Sequence, residues 1–199
     1  MELLRRVIIV GACLIVAAGA ASSAGAKTQQ QIDWCVNSDI LSADLSIGGC
    51  TAAIQSGRWS GKDLAWAFEH RCWTYPNKTE TDRAIADCSE AIHLDTNIDM
   101  FYLARGRTYE SKGHYDRAIA DFNEAIRLNP NSATAYVDRG GAYSNKEDYD
   151  RAIADYSEAI RLNPNYADAY YSRGIAYRNT GDDDRAFADL NEARRLQPN

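Results

Sequence analysis

Five cysteines, three histidines and a run of three aspartates are the residues through which this chain could do chemistry. Thiols and imidazoles together make zinc sites, but zinc needs four ligands converging at close spacing. No Cys-x-x-Cys occurs, and His70, His93 and His114 are scattered rather than clustered with acids, so neither a metal nor a cofactor is expected. A cysteine–histidine nucleophile is the next option, and His70 beside Cys72 is its nearest approach. No Ser/His/Asp set can be picked out either, so no catalytic residue is assigned. Asp182-Asp183-Asp184 lacks the alternating ligands and following glycine of a calcium loop. Acids in such a run favour the N-terminus of a helix. Asn77-Lys78-Thr79 has the form of a glycosylation acceptor, with meaning only in a eukaryotic secretory pathway.

The elements that must position these side chains come next. The chain has 199 residues, a formal charge of −6, 45% hydrophobic and 25% charged residues. That is the composition of a folded protein and excludes a disordered tail or a multi-span membrane protein. An acidic chain has no field to attract nucleic acid, so none is expected as a partner. Met1–Arg6 is basic at its end, Val7–Ala21 is uncharged, and Ala24-Gly25-Ala26 supplies small residues where a signal peptidase reads. Residues 1–26 are therefore expected to be a signal peptide cleaved before Lys27, which leaves a charge of −7 because two arginines and one glutamate go with it. The rival is an uncleaved anchor at residues 7–21, though that run is shorter than the roughly 20 residues of a spanning helix. Lipidation at Cys13 would cut the apolar run in half and is disfavoured. Export, periplasmic or secreted, is the expected location.

The strongest signal is a spacing. Tyr115–Asp121 and Tyr149–Asp155 are identical segments 34 residues apart, with Arg83–Asp87 one period earlier and Asp184–Asp189 one period later. Arg105-Gly106, Arg139-Gly140 and Arg173-Gly174 keep the same interval, as do Pro130, Pro164 and Pro198. A fixed period of this length means a solenoid with one helical hairpin per unit. Within each second helix Arg83/Asp87, Arg117/Asp121, Arg151/Asp155 and Arg185/Asp189 are four apart, so they are expected to face water as weak pairs.

This pattern resembles the tetratricopeptide repeat. Unit 133–166 carries Tyr136, Gly140, Tyr143, Ala152, Tyr156, Ala159 and Pro164 at the family's aromatic, small and proline positions. Units 99–132 and 167–199 keep that register, with Leu190 in the third aromatic place of the last. Residues 65–98 are a degenerate unit with Cys72 and Cys88 at the small and aromatic positions, and Pro76 is expected to shorten its first helix. Residues 27–64 form an irregular cap that carries Trp34, Cys50 and several glycines. The resemblance implies an all-α, right-handed α-solenoid of stacked antiparallel hairpins. Its register places Cys72 opposite Cys88 and, in a comparable relation, Cys35 opposite Cys50. Four cysteines outside the leader allow three pairings, and these two bridges are the ones expected.

The resemblance also implies a peptide or protein segment bound in a concave groove lined by the first helix of each hairpin. Carried over, the groove positions are Trp66, Glu69 and Trp73; Met100, Leu103, Arg107 and Glu110; Val137 and Gly141; and Asp168, Tyr171, Ile175 and Arg178. Leu103 and Gly141 replace polar residues with which some members clamp a terminal carboxylate, so a chaperone-tail receptor is disfavoured. The groove is expected to be apolar in the middle with arginines at intervals. The function expected is a non-catalytic interaction scaffold. The alternatives are a homo-oligomeric structural or assembly factor of the cell envelope, associating as a homo-dimer through an uncapped C-terminal repeat, and, last, an enzyme on a repeat scaffold.

Overall fold

The computed structural model describes Cys35, residues 43–75 and residues 80–197, and every regular element among them is a helix. The expected leader at 1–26, Trp34, Pro76 with its glycosylation-like sequence, and Pro198 lie outside those residues. The helices are α1 (Ala43–Gln55), α2 (Lys62–Thr74), α3 (Thr81–Leu94), α4 (Asp99–Ser111), α5 (Tyr115–Leu128), α6 (Ala133–Asn145), α7 (Tyr149–Leu162), α8 (Ala167–Asn179) and α9 (Asp183–Leu196). Each of α2/α3, α4/α5, α6/α7 and α8/α9 packs as a hairpin, each second helix packs on the next first helix, and successive first helices also touch. The result is an α-solenoid.

The repeated residues show why the hairpins close as they do. In α5, Ala118, Phe122 and Ala125 form one apolar stripe and are fully buried. Gly106 lies against the Phe122 ring so closely that a Cβ there would sit 2.5 Å from Cε1. Gly140 meets Tyr156 in the same way at 2.7 Å, and Gly174 meets Leu190 at 3.0 Å. One period upstream the Cys72–Cys88 disulfide occupies this crossing, so a covalent bond replaces a glycine–aromatic contact. Cys35 is bonded to Cys50. Both bridges are the expected ones.

The first helices α4, α6 and α8 end in a left-handed residue: Gly113 (φ +75°), Glu147 (φ +61°) and Gly181 (φ +82°). The middle turn dispenses with glycine, yet Glu147 keeps the backbone shape that glycine adopts without strain. His114, Asp148 and Asp182 each donate a backbone N–H five residues back, to Tyr109, Tyr143 and Tyr177, at 2.9–3.0 Å. The second helices α7 and α9 begin on side-chain caps, Asp148 and Asp182 accepting from the N–H of Arg151 and Arg185. The aspartate run thus serves a helix end. They finish at Leu128 and Leu162, just before Asn-Pro.

Two expectations need correction. Helix α2 is not shortened: it has 13 residues like α4, but it starts and stops earlier in the repeat, with Tyr75 extended after it. The larger correction concerns the acids of the second helices. Asp87, Asp121, Asp155 and Asp189 do not face water; each is buried, at 6–7% exposure. Their partners are Arg71, Arg105, Arg139 and Arg173 on the first helix of the same hairpin, each gripping both carboxylate oxygens at 2.6–2.9 Å. The third guanidinium arm of each arginine reaches back to the preceding helix, to Thr51, Ser89, Asn123 and Ser157. Every arginine therefore ties three helices, and the aspartate holds it charged. The freed arginines make exposed local contacts instead, Arg83 with Glu80, Arg151 with Asp148 and Arg185 with Asp182, while Arg117 lies over Tyr109. Those surface pairs are screened by solvent and worth little.

The concave face as candidate functional site

Helices α2, α4, α6 and α8 stand side by side, and the groove positions fall along them. At the α2 end the wall is aromatic. Trp66 meets Trp59 edge-on at 5.7 Å and His70 at 6.1 Å, and Trp73 is 43% exposed. Met100, half exposed, begins α4. Glu69 and Leu103 are buried: Glu69 sits 2.7 Å from His70, and Leu103 packs into the core between repeats. Neither presents itself to a ligand. Repeat position explains the burial, because the following hairpin covers Leu103 and half covers Val137. Tyr171, which holds the same position in the last described hairpin, remains 57% exposed.

The middle of the groove is polar, contrary to the apolar centre expected. Arg107 lies over Trp73 at 5.2 Å and donates its Nε–H to Asp138 at 2.7 Å. Asp138 is 31 residues on, which places it one helical turn along the neighbouring first helix. Glu110 accepts from Asn145 at 2.9 Å. Burial raises its carboxyl above the ordinary glutamate range, and the Asp138 charge adds to that shift. Beneath them Tyr156 is pushed up to about 12, first by burial and next by the charge of Glu110. Gly141 adjoins the same carboxylate: a Cβ there would meet only Glu110 Oε1, at 3.3 Å.

At the far end Asp168 accepts from Gln197, and Tyr171, Ile175 and Arg178 line one side of an open cavity of about 600 Å³ whose other side is α9. Sequence reasoning missed Asp138, Asn145 and Trp59. For Asp138 and Asn145 the usable signal was the side-by-side placement of first helices, which brings residues within a few positions of one period into contact, 31 and 35 apart here. Among the described residues no group of three or more His, Cys, Asp or Glu could hold a metal ion. No helix among them is long and apolar enough to cross a membrane.

Comparison with known proteins agrees with this geometry. The TPR repeat family matches residues 106–147 and 140–181, and the tetratricopeptide repeat family matches 167–199. No curated protein sequence matches the chain. Among solved structures, a crystal structure of MamA protein superposes with a TM-score of 0.71 at 24% identity, over 86% of this chain and 92% of that one. MamA residues 41 to the end from Desulfovibrio magneticus RS-1 superposes with a TM-score of 0.74 at 16% identity, over 89% and 97%. At these identities the likeness is one of fold. With consecutive units matched from residue 106 to the last, and the same hairpins in register, residues 106–199 are tetratricopeptide repeats.

Proposed function

We propose that the protein is a non-catalytic scaffold that holds an extended or helical segment of a partner protein in its concave groove. The observation that carries this reading is the exposure of Trp73, Met100 and Tyr171 on first helices of the solenoid. Exposed large apolar groups beside half-buried polar ones are how peptide grooves combine adhesion with orientation. Two disulfides in so small a chain support export, because such bonds persist in oxidising compartments. The leader at 1–26 supports the same reading, with 27–64 as cap, 65–98 as a degenerate repeat and 99–132, 133–166 and 167–199 as full ones. Capture of partners by the wild type and by Arg107→Glu/Tyr171→Ala tests the groove. The variant is expected to lose partners; identical capture would show the assignment wrong.

A second reading has its own support at the C-terminal hairpin. Phe187 on α9 is 70% exposed, whereas Ile119 and Ile153 at the same repeat position are half-buried under the next hairpin. A second copy covering α8 and α9 would bury that area. Light scattering coupled to size exclusion checks it, and a monomer at micromolar concentration would exclude this mode of association.

A further inference from the structure

The charges at the centre of the groove do not cancel. Arg107 is engaged by Asp138, so the two carboxylates of Glu110 and Asp138 share one guanidinium. Among the described residues Asn145 is the hydrogen-bond partner of Glu110, through Oε1, and Oε2 has none. A half-buried carboxylate left this way is destabilising unless something positive reaches it. Beside it stands Gly141, in the interior of α6, where glycine is less favourable than alanine. The adjacent Gly140 is required by the Tyr156 ring, whereas Gly141 faces the Glu110 carboxylate: a Cβ there would lie 3.3 Å from Oε1.

A second observation has the same sign. Trp73, under Arg107, belongs to the wall at this point, with Trp66 two turns earlier on α2, and indole faces attract cations. One guanidinium of the chain itself, that of Arg107, already lies on Trp73 with its Nε on a carboxylate. The groove thus displays on its own residues the contact it can offer to another arginine or lysine. The net charge of −6 would steer the same class of partner.

We propose that the groove receives a basic segment of a partner protein, one lysine or arginine side chain of which seats on the Glu110 carboxylate from the side away from Gly141. This rests on the groove reading above and gives its partner a chemistry. The cationic head takes the free oxygen of Glu110, and neighbouring basic groups lie along Trp73 and Trp66.

Calorimetric titration with a hexa-arginine peptide, and with hexaglutamate of equal length, tests the proposal at near-physiological salt. Wild type is expected to bind the basic probe and not the acidic one. Glu110→Gln should weaken binding about tenfold, the worth of one charge-assisted hydrogen bond. Glu192→Gln on α9, which removes the same charge far from the groove, should leave binding unchanged. Equal binding by Glu110→Gln and wild type would overturn the proposal, as would an equal loss in both variants. The melting temperature of Glu110→Gln should be no lower than wild type, so weaker binding cannot be assigned to unfolding. Partner capture separates the two readings. Loss with Arg107→Glu/Tyr171→Ala but not with Glu110→Gln leaves the groove standing and removes the cation seat. Capture unaffected by either removes both.

Discussion

The hairpin α2/α3 and the hairpins from α4 onward solve the same crossing in two ways. Downstream, glycine lets the helices approach until an aromatic ring from the second helix lies on the first; upstream, Cys72 and Cys88 at the same two positions are bonded. The buried arginine–aspartate pair is common to both, Arg71–Asp87 upstream and Arg105–Asp121 downstream. What differs is the packed apolar area, and the covalent bond appears where the aromatic is missing. The repeat therefore has an exchangeable part, the crossing, and a fixed part, the guanidinium that joins three helices.

The largest effect should come from the fixed part. Truncating the acid, Asp121→Ala or Asp87→Ala, strands a buried guanidinium and should cost about 3–5 kcal/mol in either region. Urea melts followed by circular dichroism measure this; a loss below 1 kcal/mol in one region would mean that the pair is not shared.

Next comes the exchangeable part. Cys72→Ala/Cys88→Ala removes a bridge across a separation of 16 residues and should cost about 3 kcal/mol. Cys72→Gly/Cys88→Phe installs the downstream solution instead and should recover a substantial share of that loss. No recovery would mean that the two crossings are not equivalent. In the opposite direction, Gly106→Ala pushes a methyl into the Phe122 ring and should cost about 1–3 kcal/mol by overpacking.

How far the sequence reveals this molecule follows the same division. The period, the hairpins, the glycine–aromatic crossings and both disulfides were legible, because each is set by one residue type recurring at one interval. The arginine–aspartate ladder was not, because a helical neighbour four residues away offered a simpler pairing. A closer reading would have placed Asp121 beside Phe122, between Ala118 and Ala125, on the stripe that faces inward. Which residues stand on the first helices was legible position by position. The groove's polarity was not, since Asp138 and Glu110 meet across two helices and burial separates Leu103 from its exposed counterpart Tyr171.

A smaller effect sharpens the turns. Glu147 alone among the three equivalent turn residues holds a left-handed backbone with a side chain, at φ +61°. A non-glycine residue there costs about 1–2 kcal/mol, partly offset by the freedom that glycine adds to the unfolded chain. Glu147→Gly should therefore stabilise by about 0.5–1 kcal/mol, and Gly113→Ala should destabilise by a similar amount. Opposite signs in the two melting curves are the test.

The smallest effect separates the groove from the rest of the solenoid by its pH dependence. Burial, aided by Asp138, raises the Glu110 carboxyl; Arg107 and Asn145 act against that, and Tyr156 below is neutral at any working pH. A carboxyl raised on folding binds its proton more tightly in the folded chain. Its contribution to stability is thus fully present below the ordinary glutamate value and is lost as pH rises through the raised one. Glu110→Gln should therefore melt above wild type at neutral pH, and the gap should close as the pH falls through that window. Glu192→Gln reverses the sign: Arg195 lowers the Glu192 carboxyl, so losing that charge should slightly destabilise at neutral pH. Should both variants shift the same way, the groove carboxylate would be an ordinary surface acid. If only Glu110→Gln gains, the concave face keeps a charge at a cost in stability that the outer face does not bear, which is the mark of a site arranged for something other than folding.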